Sequence, residues 1–185
     1  RVAVFHALND LLAMNATPHS LQVAVTLPFA GRTVQRRELS LLMAGIQSAC
    51  RDESVILLGG HTSEGSAMSI AITANGIPGD KDFIKSGARR GDILFTNKPL
   101  GTGIVLAGHM QGLVAGRVLT TTQSVMNTSN RSSSEILTQA DISACTDISG
   151  FGLLGHLAEM LAGSELKPVL KIENLPIQDG VEALI

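Results

Sequence analysis

The stretch Thr146-Asp147-Ile148-Ser149-Gly150-Phe151-Gly152-Leu153-Leu154-Gly155-His156 concentrates the residue types that could do chemistry. Asp147 offers a carboxylate, and Gly150 and Gly152 permit a sharp turn and a close approach of backbone to a ligand. Leu153, Leu154, Leu157, Met160 and Leu161 then recur at helical spacing, which predicts an amphipathic helix starting near Gly152. Ile142 to Cys145 reads as the end of a buried strand. Asp147 is therefore expected between a strand end and a helix N-terminus, where amides and the macrodipole favour phosphate. A carboxylate there can hold a divalent cation that neutralises the phosphates, or it can cap the helix. The residues alone leave both open.

Three further clusters carry donors or charge. Asp10 lies in the C-terminal half of a helical pattern, Arg1–Met14, whose Val4, Leu8, Leu11 and Leu12 fall on one side. The helix dipole disfavours a carboxylate at that end, so Asp10 either joins a solvated face or points into a cation site. Gly59-Gly60-His61-Thr62 follows a short buried strand, Val55–Leu58. Its glycines would let a ligand lie against the backbone while His61 and Thr62 donate, although a hairpin turn needs the same glycines. Lys98-Pro99-Leu100-Gly101-Thr102-Gly103 is a glycine loop that lacks the closing Gly-Lys-Ser/Thr of a P-loop. Lys98 is either a surface lysine or a phosphate neighbour.

The elements that must position these groups alternate along the chain. Asn15 and Thr17-Pro18 end the first helix. Leu21–Leu27 reads as a strand closed by Pro28, and Val34–Arg51 as a helix with Leu39, Leu42, Met43, Ile46, Ala49 and Cys50 on one face. Met68–Asn75 is a further strand. This order predicts an α/β (α+β) sheet with helices on one side. Residues 81–92, charged and glycine-bearing, separate a first domain, 1–80, from a second, 93–185. In the second, strands are expected at Ile93–Thr96 and Val169–Ile172, a helix over Ile104–Gln111 and a polar helix over Thr121–Gln139.

Composition narrows the function classes. The 185 residues are 44% hydrophobic with a formal net charge of −2, enough apolar content for a core and too little charge for general nucleic-acid binding. Trp and Tyr are absent and five Phe remain, so a base-stacking platform is not expected. No apolar run reaches the length of a membrane span. Cys50 and Cys145 stand apart without a CxxC pair, which fits buried thiols in a reducing cytoplasm.

Taken together, the four motifs in this order resemble selenophosphate synthetase (selenide, water dikinase), of the aminoimidazole ribonucleotide synthetase superfamily. The words that carry the resemblance are Thr146 to His156, Lys98 to Gly103, Gly59 to Thr62, and Asn9-Asp10 with Ala13-Met14. The resemblance runs from Arg1 to about Leu184. It implies a two-domain fold, both domains incomplete in this chain, with ATP and Mg²⁺ bound between a dimerising N-terminal sheet domain and a C-terminal α/β domain. The implied activity converts ATP, selenide and water to selenophosphate, AMP and phosphate. Carried over by position, Asp10 and Asp147 match magnesium-binding aspartates. Gly60, His61 and Thr62 match a nucleotide-contacting segment that reaches across a homodimer. Gly59 to Gly65 looks most like the form fused behind a pyridine-nucleotide-disulfide oxidoreductase domain.

Departures from the pattern limit what is inherited. The family has a glycine-rich segment, a Cys or selenocysteine, a Lys and further aspartates ahead of the first helix, and none occurs in these 185 residues. Neither Cys50 nor Cys145 lies in a matching motif, so the catalytic residues stay unknown and this chain alone is expected to be inactive. His6, Asn9 and Asn97 replace the usual Asn, Ser and Thr. Two other classes remain open: another ATP-dependent kinase or synthetase of the superfamily, such as a thiamine-phosphate kinase, and a non-catalytic dimeric nucleotide-binding scaffold. His61 after two glycines argues against the first, which more often carries an acidic residue there.

Overall fold

The computed structural model describes residues 1–185 and divides into two compact units, Arg1–Asp82 and Phe83–Ile185. In the first, helix α1 (Val2–Ala13) leads into strand β1 (Ala16–Pro28), helix α2 (Arg32–Asp52), and strands β2 (Ile56–Gly65) and β3 (Ser69–Pro78). Asn15 makes the first turn: its φ of 59° is a left-handed conformation that Asn tolerates better than most residues. Its carbonyl accepts the Gly79 amide at 2.9 Å and its Nδ2 donates to the Lys81 carbonyl at 2.6 Å, which pins the end of β3 beside α1.

The sheet has the order β2-β1-β3, with β1 parallel to β2 and antiparallel to β3. Parallel pairing needs a crossover, and α2 supplies it. Along β1 burial alternates as strand geometry demands: Leu21, Val23, Val25 and Leu27 are buried, Gln22 and Ala24 exposed. The buried set packs with Val4, Phe5 and Leu8 of α1 and with Ile46, Ala49 and Cys50 of α2, on one face of the sheet. Leu39, Leu42 and Met43 complete the expected α2 face as half-buried neighbours.

The expected strand Val55–Leu58 runs on instead to Gly65, so Gly59-Gly60-His61-Thr62 lies inside β2 rather than at a strand end or in a hairpin turn. The glycines serve the pairing. The register shifts between Leu21 and Gln22, and Gly60 then faces Val23. A Cβ built on Gly60 would sit 1.8 Å from the Val23 carbonyl oxygen, so β1 approaches too closely for any side chain there.

The second unit is built of helices: α3 (Thr102–Met110), α4 (Gly116–Met126), α5 (Arg131–Leu137) and α6 (Gly152–Met160), with short 3₁₀ turns at Ile172–Asn174 and Glu182–Leu184. The expected strands at Ile93–Thr96, Ile142–Cys145 and Val169–Ile172 do not form. A strand is stabilised by a laddered partner and a buried face. Ile93, Phe95 and Val169 are exposed, and the one bridge in this unit joins Leu100 to Ile177. A small core of Val105, Val118 and Val181 is braced by buried Gln178, which accepts from Thr122 Oγ1 at 2.8 Å and donates to Thr102 Oγ1 at 2.7 Å.

The expected helix Thr121–Gln139 is broken at Asn127–Asn130. Ser124 and Thr128 bond back to carbonyls four residues earlier, at 3.0 and 2.9 Å, an alternative that weakens helix continuation. Lys98 Nζ donates to the Thr128 carbonyl, and Asn97 Nδ2 to Asn130 Oδ1 and Ser133 Oγ at 2.9 and 3.0 Å. The glycine loop is thus tied to the break.

Candidate functional site

Helix α6 begins where the sequence placed it. Gly152 takes a φ of 64°, a conformation closed to most side chains, and its amide donates to the Ser149 carbonyl at 3.0 Å to close a turn. Phe151 occupies the N-cap position, and no side chain caps the helix. Asp147, in the irregular segment before the turn, is therefore not a helix cap. It is half-buried. The neighbouring Thr146 Oγ1 is buried and has no hydrogen-bond partner.

Asp10 has a similar neighbour in the first unit. It is exposed near the C-terminal end of α1, and beside it Asn9 Oδ1 is buried without a partner. Each candidate carboxylate is thus next in sequence to one orphaned oxygen. Carboxylate, amide and hydroxyl oxygens are the donors that Mg²⁺ prefers, so the residues fit such an ion. The two sets belong to different units, and no three His, Cys, Asp or Glu side chains converge on one point in the chain.

His61 and Thr62 are exposed on β2. His61 falls in register with Ala24, whose other neighbour is Ala71, on the sheet face away from the helices. Thr62 instead lines a cavity of about 430 Å³ with Leu27, Arg32, Gln35, Arg36 and Glu64. That volume lies within the roughly 300–1,000 Å³ of small-molecule sites. Its charged lining is two guanidiniums and one carboxylate, and Glu64 Oε1 already accepts from Gln35 Nε2 at 2.7 Å. The balance favours an anion. The signal available in the sequence was Arg32 and Arg36 four residues apart, hence on one side of a helix.

Burial, then the Asp147 charge, pushes the Cys145 thiol up, and burial does the same for Cys50. A thiol held protonated attacks poorly. Burial lowers the pKa of Lys98, whose ammonium is held by the Thr128 carbonyl.

Lys85 Nζ donates to Glu159 Oε2 of α6 at 2.9 Å, and this bond, with the lysine charge, holds the Glu159 carboxyl below its ordinary 4.5. A depressed carboxyl stabilises the fold above its unfolded pKa and loses that contribution as pH falls through the lower folded value. Both partners are well exposed, so the effect is small. Lys85→Met is expected to melt slightly below the wild type at neutral pH, with the gap closing below pH 4.5. A gap unchanged at pH 3 would show that the pair does not contribute.

The profile described as AIR synthase related protein, C-terminal domain, matches residues 51–185, and that of the corresponding N-terminal domain matches residues 1–77. The chain belongs to the AIR synthase related family. Among relatives of this AIR synthase type, the selenide, water dikinase of Geobacter metallireducens is 34% identical over all of this chain and 54% of its own length. That of Pseudomonas straminea is 31% identical over all of this chain and 51% of its own. The chain spans about half the length of the curated relatives it matches. Solved structures share the fold: thiamine-monophosphate kinase from Stenotrophomonas maltophilia aligns over 98% of this chain and 58% of its own, with a TM-score of 0.81 at 23% identity. The hydrogenase maturation protein HypE in complex with ATP aligns over 99% and 55%, with a TM-score of 0.81 at 22% identity.

Proposed function

We propose that this chain is the part of a selenide, water dikinase that holds nucleotide and magnesium. The observation that carries the reading is the likeness to selenide, water dikinases along the whole chain. Beside it stand two unpartnered buried oxygens, Asn9 Oδ1 and Thr146 Oγ1, each next in sequence to a candidate carboxylate. In this reading the first unit is the ATP-binding and dimerising domain, and the second opens the C-terminal domain. Phosphoryl transfer is chiefly positioning and charge neutralisation, and bound Mg²⁺ would supply the neutralising charge. Asp10 in the first unit and Asp147 in the second would each offer a carboxylate to such an ion. Thr62, Arg32 and Arg36 of the first unit's cavity offer donors to phosphate oxygens, while Gly60 and His61, the latter on the opposite face of the sheet, would present backbone and imidazole to a nucleotide shared across the dimer.

The intact protein is expected to release AMP from ATP only when selenide is supplied. ATP consumption to ADP with thiamine phosphate, and none with selenide, would move it to the kinase branch. A cytoplasmic location and an oxidoreductase fused ahead of this segment belong to the same proposal; no helix is long and apolar enough to cross a membrane.

A homodimer belongs to the same reading. The apolar strands Leu21–Leu27 and Met68–Asn75 are its candidates from the sequence, but Leu21, Val23, Val25 and Leu27 are buried against the helices and β1 is central. What stays open is the other face and the β2 and β3 edges, where Ile56, Leu58, Met68 and Ile77 are exposed. Apolar side chains grouped on sheet edges favour pairing with a second copy. Light scattering at low micromolar concentration is expected to report a dimer, and a monomer alone would count against it.

A further inference from the structure

His156 lies one helical turn past Gly152 and is buried, with 5% of its surface exposed. Its Nε2 accepts the Ser149 backbone N–H at 3.1 Å. A backbone N–H can only donate, so Nε2 carries no proton and the neutral ring must be protonated at Nδ1. The Ser149 hydroxyl lies 3.2 Å from the same Nε2 and is then also a donor. Nδ1 is buried without a hydrogen-bond partner, and the carboxylate nearest it, Glu159 Oε2, is 3.7 Å away and held by Lys85. The Phe151 ring packs against the imidazole with 5.9 Å between centroids.

Ser149 is thereby fixed at both ends of its peptide unit. Its carbonyl takes the Gly152 amide and its own amide is taken by His156. Asp147 is two residues away, in a segment with no regular structure and no helix cap to orient it. We infer that His156 is a positioning residue for the Asp147 loop: as the Nδ1–H tautomer it anchors Ser149 to α6 and so sets where the Asp147 carboxylate stands. The loop-anchoring part depends on geometry alone, whereas its consequence for metal rests on the magnesium reading of Asp147. The Glu159 carboxylate, held by Lys85 with Oε2 3.7 Å from Nδ1, favours the Nδ1–H tautomer by placing negative charge on that side.

The test separates the two parts. Gln presents Oε1 at about the reach of the imidazole Nε2 and can accept the same amide, whereas Leu fills similar space and cannot. In the 185-residue chain, imidazole ¹⁵N shifts are expected to report the Nδ1–H tautomer. Amide exchange at Ser149 is expected to quicken several-fold, on the order of ten at most, in His156→Leu, and to return towards wild type in His156→Gln. A merely space-filling histidine would give the opposite order, Leu close to wild type and Gln worse. Unchanged Ser149 exchange in His156→Leu, or an Nε2–H tautomer, would overturn the inference. In the intact protein, Mn²⁺ titration followed by electron paramagnetic resonance should show weaker binding in His156→Leu and recovery in His156→Gln, with Asp147→Asn as control. Loss of binding in Asp147→Asn but not in His156→Leu would sink the metal consequence of the anchor. No loss in Asp147→Asn would sink the magnesium reading, leaving the anchor to be decided by the exchange result.

Discussion

Asp147→Asn in the intact protein is expected to lower the rate of AMP release by roughly a hundred- to a thousandfold, the usual effect of removing one preorganised electrostatic contact from a closed site. Thermal melting should be unchanged. The amide keeps the size and much of the hydrogen-bonding shape of the carboxylate and loses only its charge. That charge performs no task in the fold that would confuse the result: α6 has no side-chain cap, and Asp147 is half-buried in the irregular segment ahead of the Ser149–Gly152 turn. Its one resolved electrostatic effect is on Cys145, whose thiol it helps to keep protonated. The measurement is AMP release by wild type and variant at saturating Mg²⁺, with melting as the fold control. Equal rates with equal melting would leave Asp147 without a functional role. A lower rate restored by higher Mg²⁺ would place the loss in ion binding.

Gly60→Ala is expected to have the largest effect on stability. The added Cβ would meet the Val23 carbonyl oxygen at 1.8 Å and its carbon at 2.7 Å, both backbone atoms in the strand that carries the core of the first unit. No rotamer change relieves such a contact, so β1 and β2 must separate or slide. Overpacking of this kind costs on the order of 3 kcal/mol. For a unit of this size that corresponds to roughly 10–20 °C in melting temperature. Calorimetry of the 185-residue chain reads it directly, and a loss under 2 °C would mean that the strands are not so close. The same experiment bears on function. If ATP binding by the intact Gly60→Ala protein fell only in proportion to its unfolded fraction, Gly60 would be a packing residue with no direct part in holding nucleotide.

Much of the first unit was legible in the sequence because its rules are local. The strand Leu21–Leu27 and the helical spacing of Ile46, Ala49 and Cys50 were both readable, and the helix face joins the core as expected; that Leu21, Val23, Val25 and Leu27 face the same core and not a second copy was decided by α1 and α2 packing on them. Asn15 announced its turn by being the residue type that tolerates a positive φ. The start of α6 at Gly152 was legible for the same kind of reason.

Tertiary structure alone decided the rest. Gly59 and Gly60 read as a hairpin turn or a ligand contact, and only the register against Val23 shows the close strand approach that acts on Gly60. Ile93–Thr96 and Val169–Ile172 have strand-like composition, but a ladder requires a partner strand, and partners distant in sequence leave no local trace. The break between α4 and α5 depends on Lys98 and Asn97, some thirty residues earlier in the chain, reaching its carbonyls and side chains. His156 looked like the polar end of a glycine motif. Its burial, its tautomer and its hold on Ser149 arise only when α6 folds back on the turn, because a hydrogen bond across that turn is fixed by three-dimensional geometry and not by residue type.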